Sequence, residues 1–162
     1  MVDKNQAIIE YLLTCPAILN SPLYFNFIQA RDNNKQIVTM HNDKVINTRY
    51  IDGSVLKQYS YSIIDFKSLA YKAIVKTSGY ADENVLDMAT TQSIIDWISE
   101  QNELRNFPDF GENCIVEEIR TTTENPILDS IDTSTTPALV QYSITVEVIY
   151  LDTSKVIWQK GE

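Results

Sequence analysis

The residues best suited to chemistry in this sequence are one histidine, His41, and two cysteines, Cys15 and Cys114. A serine or cysteine nucleophile needs a nearby base, and His41 is the only imidazole in the chain. Its setting, Met-His-Asn-Asp-Lys, is typical of a hydrated loop and forms no catalytic motif. The spacing of the three residues matches no common zinc site. We therefore predict no catalytic residue and no metal ligand among them.

Acidic pairs could carry out acid/base catalysis or hold a cation. Glu117 and Glu118 are adjacent on a predicted strand, where successive side chains point to opposite faces, so they cannot converge on one substrate. Asp129 and Asp132 lie with Glu124 in a predicted loop that has no EF-hand spacing. The four glycines are too far apart for a phosphate-binding loop. These patterns favour a protein that is not an enzyme and uses no cofactor.

Charge and length narrow the remaining function classes. The 162 residues carry 13 basic and 22 acidic side chains, a net charge of −9, and their number suits a single domain over residues 1–162. Stable nucleic-acid binding needs clustered lysine and arginine, so it is disfavoured. The acidity fits a passage through which DNA slides without sticking, or a simple solubilising charge. No run approaches the roughly 18 apolar residues of a membrane span, so we predict no membrane partner.

The first half of the chain predicts one helix followed by short strands. Asp3 is a suitable N-cap with Gln6 as its capping-box partner, and Pro16 is expected to end the helix. The Asp52-Gly53 pair favours a hairpin turn, because both residues tolerate positive φ. The segments expected before that turn are a helix over 3–14, a strand over 23–30, a strand over 36–40 and a polar stretch over 41–47.

The second half predicts a longer helix between strands. It begins near Asp82 or Glu83 and ends with Arg105 in its last turn, and its apolar stripe is broad enough to lie on a sheet. The stripe consists of Val85, Leu86, Met88, Ala89, Ile94, Ile95, Trp97, Ile98 and Leu104. Beyond the helix we expect a strand over 114–121, an irregular loop over 122–137 and an edge strand over 155–158.

Two long alternating segments, 56–66 and 138–151, predict half-buried strands. A 14-residue strand reaches about 45 Å at roughly 3.3 Å per residue, whereas a globule of this size has a radius of gyration of about 15 Å. We therefore expect such a strand either to bend or to leave the core and meet another copy. The predicted fold class is α+β, with two helices packed on one face of a mostly antiparallel sheet. Ser, Thr, Gln and Glu would cover the other face.

Three stretches of the chain resemble a known family. The segments 49–65 (RYIDGSVLKQYSYSIID), 84–98 and 142–146 are similar to minor capsid or tail-terminator proteins of long-tailed bacteriophages and prophages. The resemblance implies a tail-terminator-like α+β subunit that forms a homo-oligomeric ring, expected to hold six copies. Such a ring caps the tail tube, ends its polymerisation and meets the head-side connector or stopper protein, while DNA passes through the lumen. It implies a place in the tail-neck region of the virion, reached by assembly in the host cytoplasm.

The resemblance carries over no catalytic residues, and we expect the functional residues to be subunit contacts. They should lie in the loop 122–137 and at the strand ends near Gly53 and Leu151. The residues predicted for these contacts are Asp52, Gly53, Asn125, Asp129, Asp132 and Tyr150. Alternatives that remain open are another neck component, such as a head-completion or stopper protein, an acidic DNA-mimic inhibitor, and an enzyme with a pocket around His41.

Overall fold

The computed structural model describes residues 3–19, 21–26, 31–39, 44–47, 50–69 and 83–156. His41 lies outside these residues. The helices are α1 (Lys4–Leu12), α2 (Pro16–Leu19) and α3 (Glu83–Glu103). The strands are β1 (Leu23–Phe25), β2 (Lys35–Thr39), β3 (Lys44–Asn47), β4 (Val55–Ser68), β5 (Cys114–Thr121), β6 (Ile127–Asp132) and β7 (Leu139–Asp152).

The strands form one seven-stranded sheet built around the antiparallel pair β4 and β7. These two strands pair along their whole length, from Val55 opposite Asp152 to Ser68 opposite Leu139. On the outer side of β7 lie β5 and β6, one after the other. On the outer side of β4 lie β3 and β2, and β2 is followed by β1, its parallel neighbour. The sheet is mostly antiparallel, so the predicted α+β class is confirmed.

Both long strands form as predicted, but their backbones find partners within the same subunit. Between β5 and β6, the Thr122 N–H donates to the Thr145 carbonyl of β7 at 2.9 Å. Beyond β2, the Phe66 N–H donates to the Asn34 carbonyl at 3.0 Å. Buried backbone groups rarely stay unpaired in native proteins. Short outer strands and turns of the same chain therefore flank β4 and β7 over much of their length.

The core lies between the helices and one face of the sheet. Because side chains alternate along a strand, β4 offers its odd positions to the helices and β7 its even positions. The buried residues that meet there are Ile8, Leu12 and Ile18 from the N-terminal helices, Ile94 and Ile98 from α3, Tyr61 and Ile63 from β4, Ile119 from β5, and Ile144, Val146 and Val148 from β7. The predicted packing of helices on one face is thus observed.

Several local predictions need correction. Asp3 caps α1 by accepting a hydrogen bond from the Asn5 N–H at 2.9 Å, but Gln6 is bonded to Glu10 and forms no capping box. Pro16 is the first residue of α2, a position where its fixed φ suits a helix. The strand predicted over 23–30 is observed as Leu23–Phe25, and 27–30 lie outside the described residues. Of the predicted edge strand 155–158, only Lys155 and Val156 are described.

Two strands lie where the sequence predicted irregular chain. The polar stretch 41–47 contains β3, and the loop predicted over 122–137 contains β6. The apolar stripe of α3 is also narrower than expected. Ile94, Ile95 and Ile98 are buried, whereas Leu86, Met88 and Leu104 remain exposed. Leu86 and Met88, near the start of this helix, are therefore not buried against the sheet as predicted.

A buried charged network ties the sheet to α3. The Lys35 ammonium lies 3.3 Å from Asp65 Oδ1, and both side chains are fully buried. The Thr91 hydroxyl donates to Asp65 Oδ2 at 2.8 Å, and the Lys67 ammonium lies 3.9 Å from the same oxygen. Burial lowers the pKa of Lys35, and the attraction of Asp65 offsets this only in part. Buried charges persist only when paired, so this network fixes the register of β2, β4 and α3.

Candidate assembly surfaces

Exposed apolar side chains concentrate in two short segments of the described chain. In the described residues as a whole, thirteen large hydrophobic residues are exposed, and seven of these lie within 45–51 and 127–131. A scattered exposed leucine needs no explanation, but a contiguous exposed apolar patch marks an interaction site. We call the first group the hairpin surface: Val45, Ile46, Tyr50 and Ile51, with Lys44 and Asp52. We call the second group the β6 surface: Ile127, Leu128 and Ile131, with Asp129 and Asp132.

The hairpin surface is built on the turn between β3 and β4. The Tyr50 N–H donates to the Ser54 carbonyl at 2.9 Å, and the Gly53 N–H donates to the Tyr50 carbonyl at 2.9 Å. Gly53 has φ 91, a value that favours glycine. Asp52 Oδ1 accepts hydrogen bonds from the Ser54 hydroxyl at 2.6 Å and its N–H at 2.9 Å. These contacts fix the turn and hold Ile51 at its tip, 95% exposed.

A groove of about 570 Å³ lies beside the hairpin. It is lined by Val45, Gly53, Val55, Lys57, Asp152, Ser154 and Lys155. Inside it, the Lys57 ammonium donates to Asp152 Oδ2 at 2.7 Å. Burial opposes ionisation of Asp152, but the hydrogen bonds from Lys57 and Ser154 outweigh it and lower its pKa to about 2. The groove therefore holds an internal ion pair next to an exposed apolar tip.

The β6 surface lies on an edge strand. Leu128 is opposite Tyr142 and Ile131 is opposite Val140, so both point toward the helix-covered face, while Ile127 points to the other face. About half of each of these side chains is exposed. Asp129 is the extra residue of a β-bulge, a feature that discourages pairing with another strand at this edge. The surface thus offers side chains rather than a free backbone edge.

The two surfaces occupy diagonally opposite corners of the sheet. β3 pairs with β4 near Lys57. β6 pairs with the part of β7 that lies opposite Ile64 to Ser68 of β4. These positions are about nine residues apart along β4, or roughly 30 Å at about 3.3 Å per residue. They also lie on opposite edges, since β3 flanks β4 and β6 flanks β7. The described chain therefore carries two different exposed apolar segments at opposite corners of the sheet.

The sheet face without described helices is polar along its centre. Ser62 Oγ lies 3.3 Å from Thr145 Oγ1, and Arg120 donates to Glu147 at 2.9 Å. The Glu147 hydrogen bond, together with the nearby Glu118, raises the pKa of Arg120. The Ser, Thr, Gln and Glu side chains predicted for this face are found there, together with apolar side chains such as Ile64, Phe66 and Ile149.

Five of the six predicted contact residues lie in or beside these surfaces. Asp52 and Gly53 form the hairpin turn, and Asn125, Asp129 and Asp132 lie in or next to β6. Hydrogen bonds from Ser134 lower the pKa of Asp132. The sixth, Tyr150, is only 1% exposed, packs edge-on against Phe110 at 5.4 Å, and is covered by Lys4. It is a core residue, so its assignment to the interface is wrong.

The sequence alone did not predict that Ile51, Leu128 and Ile131 are exposed apolar residues of the two surfaces. Isoleucine and leucine next to turn residues were available as a signal. Leu128 and Ile131 lie in a strand, however, where such residues normally predict burial. Only the position of β6 at the sheet margin shows that these two side chains are exposed.

Comparison with known proteins found no family model and no curated protein that matches this chain. Among the described residues, no helix has the length and apolarity needed to cross a bilayer. The described part of the chain also holds no group of three or more His, Cys, Asp or Glu side chains placed to bind a metal ion.

Proposed function

We propose that this protein is a structural subunit of a long-tailed bacteriophage that closes into a ring, caps the tail tube and ends its polymerisation. The observation that carries the proposal is the pair of different apolar surfaces at opposite corners of one subunit. Contacts between unlike surfaces join subunits head to tail, and they close into a ring when the rotation permits. The resemblance of segments 49–65, 84–98 and 142–146 to tail-terminator proteins adds the expected stoichiometry of six.

The charge of the chain supports the proposed passage of DNA. A net charge of −9 repels a polyanion, so DNA would slide through the ring without stable binding. The helix α3 carries five acidic residues and no lysine or arginine. One ring face would meet the tail tube protein and the other the head-tail connector or stopper protein. The ring would belong to the tail-neck region of the virion, and its subunits to the host cytoplasm during assembly.

A test combines imaging with tube assembly. Native mass spectrometry and negative-stain microscopy of the purified protein should show a closed ring, alone or in the presence of polymerised tail-tube protein. Added to growing tubes of the same phage, it should bind one tube end and shorten the tubes. Ile51→Asp is expected to reduce both effects, and Leu104→Asp, an exposed position outside both surfaces, should leave them unchanged.

The result that would contradict the proposal is a strict monomer that binds no tube end. Binding to the portal or connector without binding to the tube would instead identify a head-completion or stopper protein. The same purified sample can be used for both assays, so the two neck functions are separated in one experiment.

The surface of α3 favours one further candidate, an acidic inhibitor that mimics DNA. Asp96, Glu100 and Glu103 are exposed and follow one another at a spacing that places them on one helix face. Such a protein would compete with DNA for a nuclease or restriction enzyme. Competition binding with a labelled duplex tests this, and Glu100→Lys should weaken the competition. A ring that caps tubes but does not compete would remove this candidate.

A further inference from the structure

We infer that the β6 surface of one copy binds the hairpin surface of the next copy, so that subunits join head to tail through these two corners. This inference rests on the proposed ring and names the contact that would hold it together. Both surfaces carry exposed apolar side chains, with Leu128 and Ile131 on the helix-covered face of β6 and Val45, Ile46 and Ile51 on the hairpin. Apolar centres with charged margins are the common composition of protein interfaces.

The charges of the two surfaces are complementary. Residues 122–137 contain Glu124, Asp129 and Asp132 and no basic residue. The hairpin surface and its groove contain Lys44, Lys57 and Lys155 against Asp52 and Asp152. Asp152 is already paired with Lys57, which leaves Lys44 and Lys155 against the single carboxylate of Asp52. The exposed ammonium of Lys44 is therefore well placed to meet an acidic partner surface.

The same charges disfavour contacts between like surfaces. Two β6 surfaces would place Asp129 and Asp132 against their own copies, and like-charge juxtaposition opposes binding. Two hairpin surfaces would bring their lysines together. A contact between unlike surfaces avoids both repulsions, which favours a continuing or closed chain of subunits over a symmetric dimer.

The contact is made by side chains rather than by added strands. The bulge at Asp129 interrupts the edge of β6, and the bulge at Ile46 interrupts the edge of β3. Irregular edges of this kind resist continuous pairing with a neighbouring sheet. Ile51, at the tip of the hairpin, is instead the most exposed of the large hydrophobic side chains in the described residues, and a neighbour can cover it.

The experiment uses two variants of the full chain, each with one surface disabled. Ile51→Asp should disable the hairpin surface and Leu128→Asp the β6 surface, each raising the dissociation constant of the contact by about 100-fold or more, because an unpaired charge is costly to bury. Each variant alone should then be monomeric. Mixed in equal amounts, they should form a 1:1 dimer, since each still offers the surface that the other lacks. Native mass spectrometry, with the variants distinguished by isotope labelling, measures this.

A charge-reversal series gives an independent readout. Lys44→Glu and Asp129→Lys should each weaken self-association about 10-fold, and the double variant should recover it, because every unlike contact then carries the reversed pair. If subunits instead joined through like surfaces, the double variant would not recover self-association. The control Glu100→Lys lies on α3, outside both surfaces. Circular dichroism of each variant confirms that the fold is retained.

Two outcomes overturn the inference. In one, either single-surface variant forms homodimers by itself; in the other, the mixture stays monomeric while the wild type forms rings. In the second case the ring and the proposed function stand, and only the named contact fails. A wild type that forms no ring, with or without tubes, overturns the function and the contact together.

Discussion

At the scale of single residues, the pair formed by Lys57 and Asp152 links the two long strands beside the hairpin surface. Their charged atoms lie 2.7 Å apart, and the side chains are 25% and 19% exposed. A hydrogen-bonded pair at this distance and partial burial stabilises more than an exposed surface pair does. Because the pair lines the groove, it also fixes the local shape of the hairpin surface.

The first prediction follows from the pKa of Asp152. That pKa is lowered from 3.8 to about 2, so the ionised carboxylate stabilises the folded state above about pH 4, and this stability is lost as the pH falls through about 2. Lys57→Met removes one of its hydrogen bonds and should lower the free energy of unfolding at pH 7 by about 1 to 2 kcal/mol. Urea denaturation between pH 2 and 7 measures the free energy of unfolding of the wild type and of the variant. The difference between the two should narrow as the pH approaches 2.

The control for this prediction is Lys155→Met. Lys155 lines the same groove but is exposed, so its substitution should change stability little at any pH. A loss in Lys57→Met that is equal at pH 7 and pH 2 would show that packing of the Lys57 side chain, rather than its charge, is responsible.

At the scale of elements, the sequence predicts the two long strands well but misses the short strands β3 and β6. The alternation in β4 and β7 extends over enough residues to specify both the element and its buried face. β3 has four residues and β6 has six, with Asp129 and Asp132 among the latter. Runs this short and polar carry little strand preference of their own. They form because β4 and β7 offer unpaired backbone groups along their outer sides, which is a tertiary cause.

The residues of the candidate surfaces, too, can be predicted only where a local sequence pattern marks them. Turn chemistry locates Asp52 and Gly53, and polarity locates Asp129 and Asp132. Exposure of Ile51 and Leu128 depends on where the sheet ends, which no local pattern records. Tyr150 illustrates the opposite error, because it was assigned to an interface from its place near the end of a strand. Phe110 and Lys4, both distant in sequence, bury it.

The second prediction concerns the edge strand β5. Glu117 is the extra residue of its bulge and is exposed, so both its charge and its irregular backbone protect this edge from pairing with other chains. Glu117→Val should leave the free energy of unfolding within about 0.5 kcal/mol of the wild type but increase aggregation. Light scattering during prolonged incubation at native pH measures this, with Glu112→Val, an exposed acid in the preceding turn, as the control.

An equal increase in aggregation of Glu117→Val and Glu112→Val would mean that the loss of negative charge, rather than its position on the sheet edge, controls solubility. No increase in either would show that the bulge alone is sufficient protection. In that case the side chain of Glu117 has no protective role.

At the scale of the whole molecule, the subunit satisfies its own sheet and still presents two apolar corners. The proposed assembly would therefore join subunits that are already folded. We expect the folded monomer to be stable, and oligomer formation to be reversible and dependent on concentration. The net charge of −9 would then act directly on the proposed assembly equilibrium.

The third prediction is that salt promotes assembly. Subunits of charge −9 repel one another over long distances, and the Debye length falls from about 30 Å at 0.01 M to about 10 Å at 0.1 M ionic strength. The proposed contacts of Lys44 with Asp129 and Asp132 are short and partly desolvated, so salt weakens them less. Analytical ultracentrifugation across this range should show a larger oligomer fraction at higher salt. Lys44→Glu, which removes the local attraction, should keep this salt dependence but need a higher protein concentration to assemble. Dissociation of the wild type on adding salt would mean that ion pairs, rather than apolar contacts, dominate the interface.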